Sequence, residues 1–193
     1  MRTKKKNEVI KINQVEFSED KNEPLSSENL INVSKDNLSR VLGFFPRVDS
    51  LTSIVLAIDI SLLAVLATNS PPLQFITKFQ VITSLIFLII DGISLFFLYK
   101  CQFPRLECEE KSLLFFREIA ELEQLEFARK FLEQTEKDYL HDLIKQVWRN
   151  SEILKLKFQY LKNAFRFLVL ALLPWIISLL TFASENKQTF LNK

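Results

Sequence analysis

Three long apolar runs separated by charged stretches set the pattern of the chain. The first is LTSIVLAIDISLLAVLAT from Leu51, and the second is QVITSLIFLIIDGISLFFL ending at Leu98. Each approaches the roughly 20 residues that a helix needs to cross about 30 Å of hydrocarbon. Joined by Thr68-Asn-Ser-Pro-Pro-Leu-Gln, they predict a transmembrane hairpin over 51–98, with spans at about 51–69 and 79–98. The third run, AFRFLVLALLPWIISLLT, predicts a span over 164–183. It contains Pro174, which can kink a membrane helix without breaking it, and Arg166, whose long stem can snorkel to the headgroups.

Between the second and third runs, Tyr99-Lys100 has the aromatic-basic character of a membrane interface, and Pro104 ends the second helix. A charged helix is predicted from about Glu107 to Gln134, carrying Leu113, Phe116, Ala120 and Phe127 near helical spacing. Thr135-Glu-Lys-Asp138 has the form of a capping box and marks a new helix. In that helix Leu140, Ile144, Val147, Ser151, Leu154, Phe158, Leu161 and Phe165 step by 4, 3, 4, 3, 4, 3 and 4, the period of a heptad seam. The segment 99–163 therefore predicts a helical hairpin whose second helix continues into the third span. The fold class is an all-α membrane protein.

Ahead of the first span, residues 1–26 are polar and charge-mixed, and predict a mobile arm. The alternation within VIKINQVEF offers a strand addition to a partner as an alternative. Residues 27–50 predict a short interfacial amphipathic helix, capped by Ser27 or Ser34, with Leu38, Val41, Leu42 and Phe45 on one side. MRTKKKNEVIKINQ has a basic cluster but no apolar core or cleavage site behind it, so the first span is expected to act as the insertion signal. The polar tail, 184–193, is short.

Orientation follows from the basic residues flanking the spans. Segment 99–163 carries about a dozen Lys and Arg and the amino-terminal segment about nine, whereas the turn between the first two spans has Lys78 alone. The amino terminus and segment 99–163 are therefore expected in the cytoplasm and the carboxyl terminus outside.

Composition narrows the chemistry. The formal net charge is +2 over 193 residues with charges interleaved by sign, which argues against a nucleic-acid partner. With 2 Gly and 18 Phe the chain suits long helices better than turn-rich sheets. Cys101 and Cys108 are too widely spaced for a CxxC motif and are expected to be reduced thiols, and His141 has no metal-ligand neighbours. There is no GxSxG, Walker loop or glycine-rich phosphate cradle, and Glu107, Glu109 and Glu110 fit a solvated face, so an enzyme is not expected and no cofactor or metal is assigned. Asp59 and Asp91 are conspicuous within the hairpin, since a carboxylate in the membrane must be paired, protonated or directed at an aqueous path. They are candidates for lining a pore, or for cross-helix packing with Ser61 or Ser94.

The order of parts, with FFPRVDSLTSIVLAID, SLLFFREIAEL and HDLIKQVWRNSEILKLKFQYLKNAF, resembles the transmembrane effectors of bacterial Pycsar antiphage systems over about residues 40–183. The family pattern maps onto Arg47 and Asp49 entering the first span, Phe115 and Phe116 in the middle, and Gln146, Asn150, Ser151, Ile153, Lys157 and Phe158 before the last span. Where that pattern has a lysine two residues after the aspartate, this chain has Leu51. The resemblance implies an effector of the bacterial inner membrane, functionally coupled to a nucleotide cyclase. Its regulatory ligand would be cyclic UMP or cyclic CMP, and its output the impairment of membrane integrity. Ligand-binding candidates are Arg47, Asp49, Phe116, Gln146, Asn150, Ser151 and Lys157, with Arg117 and Arg149 as further phosphate contacts and Phe115 or Trp148 as stacking surfaces. A homo-oligomer packed along the heptad seam would carry the signal to the spans. The competing function is a structural membrane adaptor that recruits a cytosolic partner through the heptad helix. A small transporter fits less well, because three spans show no inverted repeat.

Overall fold

The computed structural model describes residues 26–103 and 112–191. Five helices account for nearly all of them, and no strand occurs among the described residues. They are α1 (Ser27–Asn69), α2 (Lys78–Gln102), α3 (Phe116–Ala120), α4 (Gln124–Glu133) and α5 (Glu136–Leu191). α1, α2 and α5 are long and apolar enough to cross a membrane. The amino-terminal arm, Cys108 and Glu107, Glu109 and Glu110 lie outside the described residues.

α1 corrects one expectation. Instead of an interfacial helix ending before the membrane, a single helix starts behind Ser26, whose hydroxyl accepts from Asn29 N–H, and runs through Pro46. Proline removes one backbone hydrogen bond, yet Pro46 sits on the exposed side while Val48, Thr52 and Val55 on the opposite side are buried. Packing of that inner face keeps the helix continuous across the proline. After Asn69 the chain turns through Pro71-Pro72 and a short 3-10 turn, Leu73–Phe75. α2 then opens on a capping box in which Thr77 and Gln80 exchange backbone and side-chain bonds at 2.9 and 3.3 Å.

The predicted helix 107–134 is also corrected: Ser112–Phe115 is not helical, and the described remainder divides into the short α3 and α4. α5 begins where the Thr135–Asp138 box places it, with Thr135 Oγ1 donating to Asp138 Oδ2 at 2.6 Å and Asp138 N–H returning a bond to Thr135 Oγ1 at 3.2 Å. These bonds from Thr135 hold the exposed Asp138 carboxyl below its ordinary range.

α5 is the common partner of the bundle, packed along both α1 and α2. It runs parallel to α1 and antiparallel to α2, and polar contacts join the three at successive levels. Cys101 Sγ lies 3.3 Å from both Thr52 Oγ1 and the Lys157 carbonyl. Trp175 Nε1 donates to the Leu62 carbonyl at 3.0 Å. Ser178 Oγ lies 3.0 Å from Thr83 Oγ1, and Gln80 Nε2 donates to the Thr181 carbonyl at 3.1 Å. Ala164 and Ala171, fully buried on α5, let the backbones approach. Between these levels Val48, Val55, Leu98, Leu161 and Leu168 form one apolar cluster, and Leu66, Phe87, Ala171 and Phe182 another. The outer surface over the same length is apolar too, with Ile54, Ile60, Ile82, Ile89, Leu173 and Leu180 exposed, as a lipid-facing bundle requires.

The inward face of α5 is not the heptad seam. Ile144, Phe158 and Phe165 are exposed, while Leu143, Gln146, Ile153, Lys157, Leu161, Ala164, Leu168 and Ala171 are buried. Of the predicted seam only Leu161 is fully inside, with Leu140, Val147, Ser151 and Leu154 half-buried.

Candidate functional site

Above the apolar part of the bundle, the buried face of α5 carries a polar cluster built from two remote parts of the chain. The Ser112 hydroxyl donates to Asp142 Oδ1 at 2.7 Å and accepts from Gln146 Nε2 at 2.9 Å and Leu114 N–H at 3.1 Å. Asp142 Oδ2 accepts from Leu113 N–H at 3.0 Å. Asn150 donates to the Gln146 carbonyl at 2.8 Å and faces Gln146 Oε1 at 3.4 Å. Ser112, Asp142 and Gln146 are all buried. The cluster ties the segment before α3 to one turn of α5 by hydrogen bonds instead of an apolar core, a mode of docking that a polar ligand can compete for.

A second cluster marks the junction with the apolar bundle. Lys157, on the same face of α5, pairs with Asp49 of α1 at 2.5 Å, and its ammonium also stands 5.6 Å from the Phe45 ring centre. The Lys157 side chain is 6% exposed and that of Asp49 is 41% exposed. The pair therefore has one dry end and one wet end. An anion that reaches the wet end can exchange with the Asp49 carboxylate at Lys157 without needing a new cavity for its charge.

The sequence-predicted residues do not converge on one point. Gln146 and Asn150 lie in the first cluster and Asp49 and Lys157 in the second; Gln146 and Lys157 are eleven residues apart along α5, about 16 Å on an α-helix. Arg47 is exposed. At a spacing of two residues it points about 200° around α1 from Asp49, so the two side chains of the Arg-x-Asp motif leave the helix on opposite sides. Ser151 turns back on its own helix, donating to the Val147 carbonyl at 2.7 Å. Phe116 is 69% exposed and meets Phe115 edge-on with ring centres 5.0 Å apart. Trp148 is likewise exposed.

Sequence reasoning missed Ser112 and Asp142. The available signal was Asp142 and Gln146 four residues apart on one face of a helix start, but the partner that buries them comes from 30 residues earlier. Asp59 and Asp91 lie inside the bundle, 0% and 1% exposed, and Ser94 supplies the hydrogen bond to Asp59. They line no outer face of the closed bundle. No group of three or more metal-ligating side chains occurs among the described residues.

A family model described as the Pycsar effector protein domain matches residues 33–183. No curated protein and no solved structure matches the chain.

Proposed function

Because the chain belongs to the Pycsar effector family, whose role is antiphage defence, we propose that this membrane effector is switched on by a cyclic pyrimidine mononucleotide, cyclic UMP or cyclic CMP. A functionally coupled cyclase supplies the nucleotide, and activation impairs the integrity of the bacterial inner membrane. The observation that supports this reading is the continuity of α5. One unbroken helix carries Gln146, Asn150 and Lys157 on its buried face and then becomes a membrane-length apolar segment.

In this mechanism the nucleotide phosphate displaces Asp49 from Lys157, and its base reaches Asn150, which is hydrogen-bonded to Gln146. Asn150 and Lys157 are seven residues apart on one face, about 10 Å along the helix, comparable with the reach from base to phosphate of a mononucleotide. The ligand wedges α1 from α5, and homo-oligomeric packing of the loosened helices spreads the spans. Arg47 stays at headgroup level as an anchor. The polar head and amino terminus face the cytoplasm, where the nucleotide is made. Protein chemistry is not required of the effector, which is a switch and not an enzyme.

Titration of the purified full-length protein with cyclic UMP and cyclic CMP, against cyclic AMP and cyclic GMP as controls, is the direct test. The reading expects saturable binding of one pyrimidine nucleotide, lost in Lys157→Gln, and depolarisation of cells when the cyclase is induced. Absence of binding by both pyrimidine nucleotides overturns it. That result favours the adaptor reading, for which the specific observation is the outward exposure of the heptad residues Ile144 and Phe158 on α5.

A further inference from the structure

At the centre of the bundle two buried carboxylates meet with no basic side chain beside them among the described residues. Asp59 on α1 and Asp91 on α2 are buried, and their side chains are close enough to interact directly. Asp59 Oδ1 and both carboxylate oxygens of Asp91 have no hydrogen-bond partner among the described residues. Asp59 Oδ2 has the Ser94 hydroxyl at 3.0 Å, but that hydroxyl is also 3.0 Å from the Ala164 carbonyl and has one proton for two acceptors. Four carboxylate oxygens thus share at most one donor.

Among the described residues no basic side chain compensates. Residues 51–77 and 79–99 contain no Lys, Arg or His. On α5, Lys162 and Arg166 are exposed. Lys157 is seven residues from Ala164, about 10 Å along the helix, and already holds Asp49. Buried carboxylates left bare repel one another and lose their hydration, yet the apolar contacts on either side, through Val55, Leu98, Leu161 and Leu168, keep the helices closed here.

We propose that Asp59 and Asp91 form an intramembrane site for a small monovalent cation, a proton or a sodium ion, which clamps α1 to α2 in the resting bundle. The oxygens that converge there, two carboxylates, the Ser94 hydroxyl and the Ala164 carbonyl, are hard donors suited to such an ion and not to a soft metal. The clamp is a property of the resting helices and does not rest on nucleotide activation, so its failure leaves that reading intact, and the converse holds too.

The test uses the full-length protein in lipid nanodiscs. Thermal unfolding is followed in sodium against potassium at constant ionic strength and from weakly acid to weakly alkaline pH, with infrared spectra recorded in parallel. If the proton fills the site, a deuterium-sensitive carboxylic-acid band is present and is lost together with thermal stability as pH rises, with no sodium effect. If sodium fills it, sodium raises the unfolding midpoint over potassium, most at alkaline pH. In either case the double variant Asp59→Asn, Asp91→Asn abolishes the band or the sodium response. A wild-type protein with no such band and a midpoint indifferent to sodium and pH overturns the site, even if the variants fail to fold. A response that persists unchanged in the double Asn variant also overturns it.

Discussion

At the scale of single residues, Lys157 carries the clearest asymmetry. Its ammonium is almost entirely buried, while the Asp49 carboxylate that neutralises it keeps two-fifths of its side-chain surface in contact with solvent. The two ends of the pair therefore do not respond alike to truncation. Asp49→Ala leaves a buried charge beside the Phe45 ring, whereas Lys157→Met replaces the ammonium by an apolar side chain of similar length and leaves a carboxylate that water can reach. Removing one partner of a fully buried pair costs about 3–5 kcal/mol, and the exposed end discounts this to about 2 kcal/mol for Asp49→Ala. Lys157→Met is expected to cost less than half as much, about 1 kcal/mol or below, and the double variant to be more stable than Asp49→Ala alone. Urea or thermal unfolding of the three variants in detergent checks the order; an Asp49→Ala protein as stable as Lys157→Met contradicts the burial asymmetry.

At the scale of elements, the proposed coupling between head and membrane depends on α5 being one helix from Glu136 to Leu191. Gln159 lies on its exposed side, just past Lys157. Gln159→Pro removes the hydrogen bond to the Lys155 carbonyl and introduces a steric clash there, at a cost of about 3 kcal/mol in a helix interior, without deleting a buried side chain. The expected result is a protein that still binds the nucleotide within about threefold but no longer depolarises cells on cyclase induction. Equal output from Gln159→Pro and wild type would mean that the signal does not travel along α5. The elements also show where sequence reading works and where it stops. The three spans and the Thr135–Asp138 start of α5 were legible because length, hydropathy and capping are local properties. The inward face of α5 was not. Gln146 and Lys157 are buried because Ser112 and Asp49, 34 and 108 residues away, supply their partners, whereas a heptad template selects apolar residues such as Ile144 and Phe158 that are exposed in the single chain. Past Asn163, where lipid covers one side and helices the other, both faces are apolar and period carries no signal. The path of α1 through Pro46 was hidden for a related reason: proline is a local stop signal, and the packing that overrides it comes from α5.

At the scale of the whole molecule, the proposed activation requires that Lys157 and the Ser112–Asp142–Gln146 cluster open to the compartment in which the proposed cyclase makes nucleotide. Both clusters sit at the same end of the bundle, because α1 and α5 run parallel and α2 returns antiparallel to them. The Thr68–Gln74 turn and the end of α5 are at the other end. The head side carries most of the basic residues near the spans, whereas the other end has Lys78 in the turn and Lys187 and Lys193 beyond the third apolar run, so the positive-inside bias and the proposed activation call for the same orientation. This can be measured in a background with both native thiols replaced, Cys101→Ser preserving the polar contacts to Thr52 and the Lys157 carbonyl. Ser70→Cys in the turn is expected to react with a membrane-impermeant maleimide in intact spheroplasts, and Lys35→Cys in the head only after the membrane is opened. The reverse pattern would place the candidate site outside the cell, beyond the reach of a cytoplasmic nucleotide, and would defeat the proposed activation even if the purified protein bound the ligand.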